Sequence, residues 1–202
     1  MGLENNSKNV TYVKLKGGKF YISRGDDTPY DQLEGIITRM SYKDDEYNGV
    51  VSRVLVLTIS DDVNYQLSIK VESGYYSSLI SFLKNVDITK PVVLVPTIKK
   101  VKKDGEEKER YSIFISQNGK FAKNYFTKDT PNGLPKWNVV TVGKKTVVDK
   151  TDYLEFLENI VNTEFVPKLS TDMIVHTKVP SNVNTEVDDV EEDEEEKTLP
   201  WD

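Results

Sequence analysis

The sequence predicts a mainly β domain followed by an acidic tail. Three observations carry this. Stretches dense in β-branched residues succeed one another between residues 33 and 116. One of them, Val63 to Val71, alternates apolar and polar residues without a break. Charge is also segregated: residues 181–202 hold ten acids and one base, a net of −9, whereas the rest of the chain holds 26 bases and 23 acids, a net of +3.

Taken in order, the polar residues 1–18 are expected to be a flexible lead. Lys19 to Ser23 reads as a short extra N-terminal strand, stopped by Arg24-Gly25-Asp26-Asp27-Thr28-Pro29. Leu33 to Tyr42 is the first long strand, and Asn48-Gly49 signals the hairpin after it. Val50 to Ser60 is the second, rich in valine, leucine and isoleucine. The third, Val63 to Val71, turns Val63, Tyr65, Leu67, Ile69 and Val71 to one face and Asn64, Gln66, Ser68 and Lys70 to the other.

The period then changes. Tyr75, Tyr76, Leu79, Ile80 and Leu83 recur at three- and four-residue spacing, and Ser73 suits an N-cap, so residues 74–85 read as a helix. Pro91 to Val101 is a fourth strand whose Pro96 marks an edge or a bulge. Lys102 to Glu109 reads as a charged loop, and Arg110 to Ser116 as a fifth strand with Tyr111, Ile113 and Ile115 inward. Three strands, a helix and two strands is the order of the OB-fold, a five-stranded Greek-key barrel. Residues 117–150 are less regular. Thr151 to Phe165 is a C-terminal helix whose stripe of Tyr153, Phe156, Leu157, Ile160, Val161 and Phe165 packs on the barrel. The domain is therefore expected to span residues 19–170, with residues 171–202 a disordered tail.

Composition narrows the chemistry. With no cysteine and a single histidine, His176, the chain has neither a thiol nucleophile nor the residues of a His-rich zinc site. No phosphate-cradling, zincin or nucleophile-elbow motif occurs. Asp26-Asp27, Asp44-Asp45 and Asp61-Asp62 sit where turns want aspartate. No catalysis, metal or cofactor is expected. The start MGLENNSKNVTYVK lacks an apolar core, and no run of about 18 apolar residues occurs, so a cytoplasmic protein is expected.

Single-stranded nucleic acid is recognised by cations that follow the backbone and aromatic faces that stack on bases. The domain interleaves both. Arg39, Tyr42, Lys43 and Tyr47 surround the first hairpin; Arg53 and Lys70 lie on the second and third strands. Lys99, Lys100, Lys102 and Lys103 crowd the end of the fourth strand and the loop after it. In an OB-fold these loops flank the binding face. Phe114 falls among Arg110, Ser112 and Ser116 on the polar side of the fifth strand, placed either to stack on a base or to pack under the second helix. Lys120 and Phe121 continue the aromatic-basic pattern.

The tail ends in Leu199-Pro200-Trp201-Asp202, and an acidic leash with an indole at its tip suits a basic-rimmed pocket on a partner. This arrangement resembles the single-stranded-DNA-binding proteins of bacteria and their phages, closest to the phage class of the T7 type: an OB-fold, then an acidic tail with an aromatic near its end, here Pro200-Trp201 followed by Asp202. The resemblance covers element order and tail, not a motif through the domain. It implies binding of single strands without sequence preference in DNA replication, recombination or repair. It also implies recruitment of polymerase, primase or helicase through the tip, in a bacterial host's cytoplasm if the chain is phage-encoded. A homodimer is compatible with it. Two other readings compete: an acidic-tailed interaction protein (a DNA mimic or a chaperone of basic proteins), and a metal-dependent nuclease using Asp44-Asp45.

Overall fold

The structure, a computed structural model, describes residues 10–25, 27–103, 106–142 and 145–169. In chain order they form β1 (Val10–Lys16), β2 (Lys19–Ile22), β3 (Leu33–Tyr47), β4 (Val50–Ser60), β5 (Asn64–Lys70) and α1 (Gly74–Leu83). After these come β6 (Val92–Lys103), β7 (Glu106–Gln117), β8 (Lys120–Phe121), β9 (Asn138–Val142), β10 (Lys145–Asp149) and α2 (Thr151–Ile160). A π-helical turn, Val161–Phe165, prolongs α2.

Local chemistry accounts for the main elements. Asn48 and Gly49 both have positive φ, 53° and 74°, the backbone of a type I′ turn, so β3 and β4 run to the very tip of their hairpin. Asn118 and Gly119 repeat that turn between β7 and β8. The hairpins outlast their apolar stretches because opposite charges face each other across the ladder: Asp44 opposite Arg53, and Lys100 opposite Glu109. Ser73 caps α1, its Oγ accepting from the Tyr76 N–H at 3.3 Å; such a cap is worth about 1 kcal/mol.

Eight strands form one mixed sheet in the order β2-β1-β5-β4-β3-β6-β7-β8, and β9-β10 is a separate ribbon. All neighbours are antiparallel except β1 and β5, which run parallel from Val10 opposite Asn64 to Val13 opposite Leu67. Leu55, Leu57, Ile59, Leu67 and Ile69 meet Leu94, Ile113 and Ile115 in one core, plugged by Tyr76, Leu79, Ile80 and Leu83 of α1 and by Leu157, Ile160, Val161 and Phe165.

Two expectations are corrected. Residues 10–18 belong to the sheet and its first turn rather than to a flexible lead. The sheet is also not a closed five-stranded barrel. The neighbours that would close it, β5 and β7, are occupied otherwise. Part of β5's free edge pairs with β1. β7 pairs with β8 at Ser116 and Gln117, and earlier along the strand α1 lies against it: the Ile113 N–H donates to Ser78 Oγ at 2.8 Å, and a Cβ added to Gly74 would stand 2.5 Å from the Tyr111 carbonyl oxygen. The β1–β2 turn reaches the same seam. Gly18 has φ +72°, which favours glycine; an added Cβ would stand 3.1 Å from the Ile98 backbone nitrogen of β6, and the Gly18 N–H donates to Tyr75 Oη of α1 at 3.2 Å.

Candidate nucleic-acid interface

Strand register assembles the first surface. Lys43 of β3 faces Val54 of β4, which faces Lys70 of β5, so the three stand in one row on one face. At ~4.8 Å per strand the two lysine backbones are roughly 10 Å apart. Two residues along, Ser41, Val56 and Ser68 form the next row. Arg39, Thr58, Gln66 and Tyr12 form a third, which β1 completes. Val54 and Val56 point away from the core residues Leu55 and Leu57, yet they are buried too. The result is an apolar floor bordered by the exposed Arg39, Lys43 and Lys70. Where β1 diverges from β5, a groove of about 370 Å³ lined by Tyr12, Lys14, Gln66, Ser68 and Lys70 extends it.

The lysine run at residues 99–103 does not form a single patch. It lies within β6, so alternation divides it. Lys99 stands opposite Arg110, in the same strand phase as Phe114. Lys100 and Lys102 face the other way, opposite Glu109 and Glu107, and Lys100 Nζ lies 3.4 Å from Glu107. Lys103 ends the strand opposite Glu106.

Phe114 is half-buried. Its ring lies 5.2 Å from Phe82, so α1 covers it rather than the C-terminal helix. Phe121 meets it edge-on at 6.4 Å and is itself 66 % exposed, with Lys120 beside it in β8. Lys99 Nζ stands 5.9 Å from the Phe114 ring. The outer face of β6–β8 thus combines two rings with Lys99 and Arg110.

Two of the expected contacts are committed elsewhere. The Arg53 guanidinium is held by Glu158 of α2 at 2.5 Å and by Asp44 at 3.3 Å, and it lies 5.2 Å from the Tyr42 ring. The hydrogen bond to Glu158, foremost, raises its pKa further. Tyr42 points to the core side, its Oη 2.7 Å from Tyr76 Oη. Burial, then the neighbouring Tyr76, raises the Tyr42 pKa well above the usual phenol range, and burial pushes Tyr76 up to about 12. Tyr47 stays available: it is 77 % exposed at the β3–β4 tip.

Tyr12 and Lys14 are the residues of this surface that the sequence reading missed. Their signal was the alternation of VTYVKLK, where Tyr12, Lys14 and Lys16 share one phase and Val13 and Leu15 the other. Leu199, Pro200, Trp201 and Asp202 lie outside the described residues, as does His176. Among the described residues no three His, Asp or Glu side chains converge as metal ligands, and no helix is long and apolar enough to cross a membrane. Comparison with protein-family models, curated proteins and solved structures finds no match.

Proposed function

We propose that this chain binds single-stranded DNA without sequence preference, on the outer face of β3–β5, and serves DNA replication, recombination or repair. The observation that carries the reading is the row of Lys43, Val54 and Lys70. It sets cations on either side of an apolar floor, with Tyr12, Lys14 and Arg39 around it. Cations border where a backbone runs, and the exposed Tyr12 ring takes a base without reading its edges. The mild positive charge of the chain outside residues 181–202 favours the same ligand.

The order β5-β4-β3-β6-β7, with α1 between β5 and β6 in the chain, supports an OB-fold opened at its last seam. In this reading the binding face of that fold coincides with the cationic rows. The acidic tail docks replication proteins through Leu199, Pro200, Trp201 and Asp202. A fluorescence titration of poly(dT) against duplex DNA, at low and moderate salt, tests the proposal. Preference for the single strand, weakening as salt rises, is expected. Equal affinity for duplex, or no binding to either, overturns it.

A further inference from the structure

A second cleft lies away from the β3–β5 face. It opens between α1, β7 and the start of α2, and holds about 540 Å³, within the ~300–1,000 Å³ of small-ligand sites. Three elements build it. From α1 comes a line of hydroxyls, Ser73, Ser77 and Ser81, four residues apart and so on one side of the helix. From β7 comes Arg110, exposed and in the strand phase of Phe114. From the chain around α2 come Trp137, Lys150 and Tyr153.

The aromatic corner is held firmly. Half-buried Tyr153 of α2 packs against the core and meets the Trp137 ring edge-on at 5.9 Å. Lys150 Nζ stands 4.6 Å from the centre of the same indole. Even so, Trp137 is 51 % exposed. An indole held in place and left half open offers a stacking surface with little ordering cost. Two acids, Glu72 and Glu109, also line the cleft, and the Glu109 carboxylate already accepts from the Tyr111 hydroxyl. The serine hydroxyls are spent inside the protein, on Lys70, Gly74 and Asn124, so the cleft offers Arg110 and Lys150 for a phosphate and the Glu72 and Glu109 carboxylates for the donor edge of a base.

We propose that this cleft seats one nucleotide of a bound single strand, with its base on Trp137 and its phosphate between Arg110 and Lys150. The proposal rests on the single-strand reading given above and adds a second point of contact to it. Arg110 makes the link, because it belongs both to the cleft and to the outer face of β6–β8 with Lys99, Phe114 and Phe121. A strand lying on that face is led to the indole.

The chain has two tryptophans, so Trp201→Phe leaves Trp137 as the sole indole reporter. That variant is titrated with fluorescein-labelled oligo(dT), following indole emission and label anisotropy together. Trp137 emission should be quenched in step with the rise in anisotropy. Adding Arg110→Gln and Lys150→Gln should weaken binding on the order of tenfold at low salt, since two cations facing the phosphate are removed; the melting temperature of this variant, unchanged from its parent, excludes unfolding. If anisotropy rises while Trp137 emission and the affinity of the double variant stay unchanged, the strand does not enter the cleft, and the single-strand reading stands without it. If anisotropy never rises, that reading fails and this proposal fails with it. If deleting residues 181–202 shifts Trp137 emission in the absence of DNA, and DNA itself does not, the cleft belongs to the acidic tail and the proposal is wrong.

Discussion

Lys43 and Lys70 stand on either side of Val54 in a single row across three strands. Neither lysine is near the other in sequence, and only the antiparallel register joins them. If this row tracks a DNA backbone, each lysine releases counterions on binding. Replacing both with alanine should lower affinity for poly(dT) on the order of tenfold at low salt. It should also flatten the plot of log affinity against log salt by about 0.7 per lysine. Fluorescence titrations at several salt concentrations give both numbers; an unchanged slope removes the row from the site.

The division of the 99–103 lysines by strand phase makes a sharper comparison. Lys99→Ala, on the side of Phe114 and Arg110, should weaken single-strand binding. Lys100→Ala and Lys102→Ala should leave it nearly unchanged, because those positions stand opposite Glu109 and Glu107. The contrast is measured in one titration series of single variants. Equal losses at all three positions mean that the hairpin acts as one mobile cationic loop.

The two rings on β7 and β8 should separate stability from binding. Phe114 packs on Phe82, so Phe114→Ala should cost about 2 kcal/mol of folding stability, below the range for a fully buried ring because this one is half-covered. Phe121 is 66 % exposed and supports little core. Phe121→Ala should hold the melting temperature and cost about 1–3 kcal/mol in single-strand affinity. Thermal melts and titrations of the pair of variants decide between the two roles.

The Tyr42–Tyr76 pair sets an alkaline limit. Both phenols are held neutral in the folded state, chiefly by burial, with Tyr76 pushed up to about 12 from an ordinary value of 10.0. In the unfolded chain they ionise at the ordinary value. Above it the unfolded state binds fewer protons, so stability falls as pH rises. The Tyr76 share is complete below about pH 10 and drains away from there to about pH 12, and Tyr42, raised further, goes on losing stability above that. Replacing both residues by phenylalanine should flatten urea-denaturation stability over that window. A wild-type curve already flat there would contradict the burial of the pair.

Much of this was legible in the sequence, and the failures have identifiable causes. The third strand reads directly, because Leu67, Ile69 and Val71 are buried as their alternation requires. The first helix was signalled by its apolar spacing and its cap, both properties of neighbouring residues. β1 was missed because VTYVKLK follows a polar stretch and carries two lysines, so composition masked its period of two. The run Ile98-Lys99-Lys100-Val101-Lys102-Lys103 read partly as loop because a hairpin end is wet on both faces, and charge no longer alternates there. Sheet closure was not legible at all. Element order does not say which edge a distant strand will take; β1 took part of the edge of β5, and β8 with Ser78 of α1 took that of β7. The fate of Arg53 was equally hidden, since Glu158, which holds it, lies 105 residues away.

Ultraviolet cross-linking of an iodouracil-substituted single strand, followed by peptide mapping, tests the account at its centre. Iodouracil couples to aromatic rings in van der Waals contact, and Tyr12 is the ring that β1 sets beside Arg39, Thr58 and Gln66. The predicted result is a cross-link at Tyr12, lost when unlabelled poly(dT) competes and retained when duplex DNA does. Cross-links that leave the 10–16 peptide untouched, or that duplex DNA removes as readily as poly(dT), would contradict a single-strand site on the β3–β5 face.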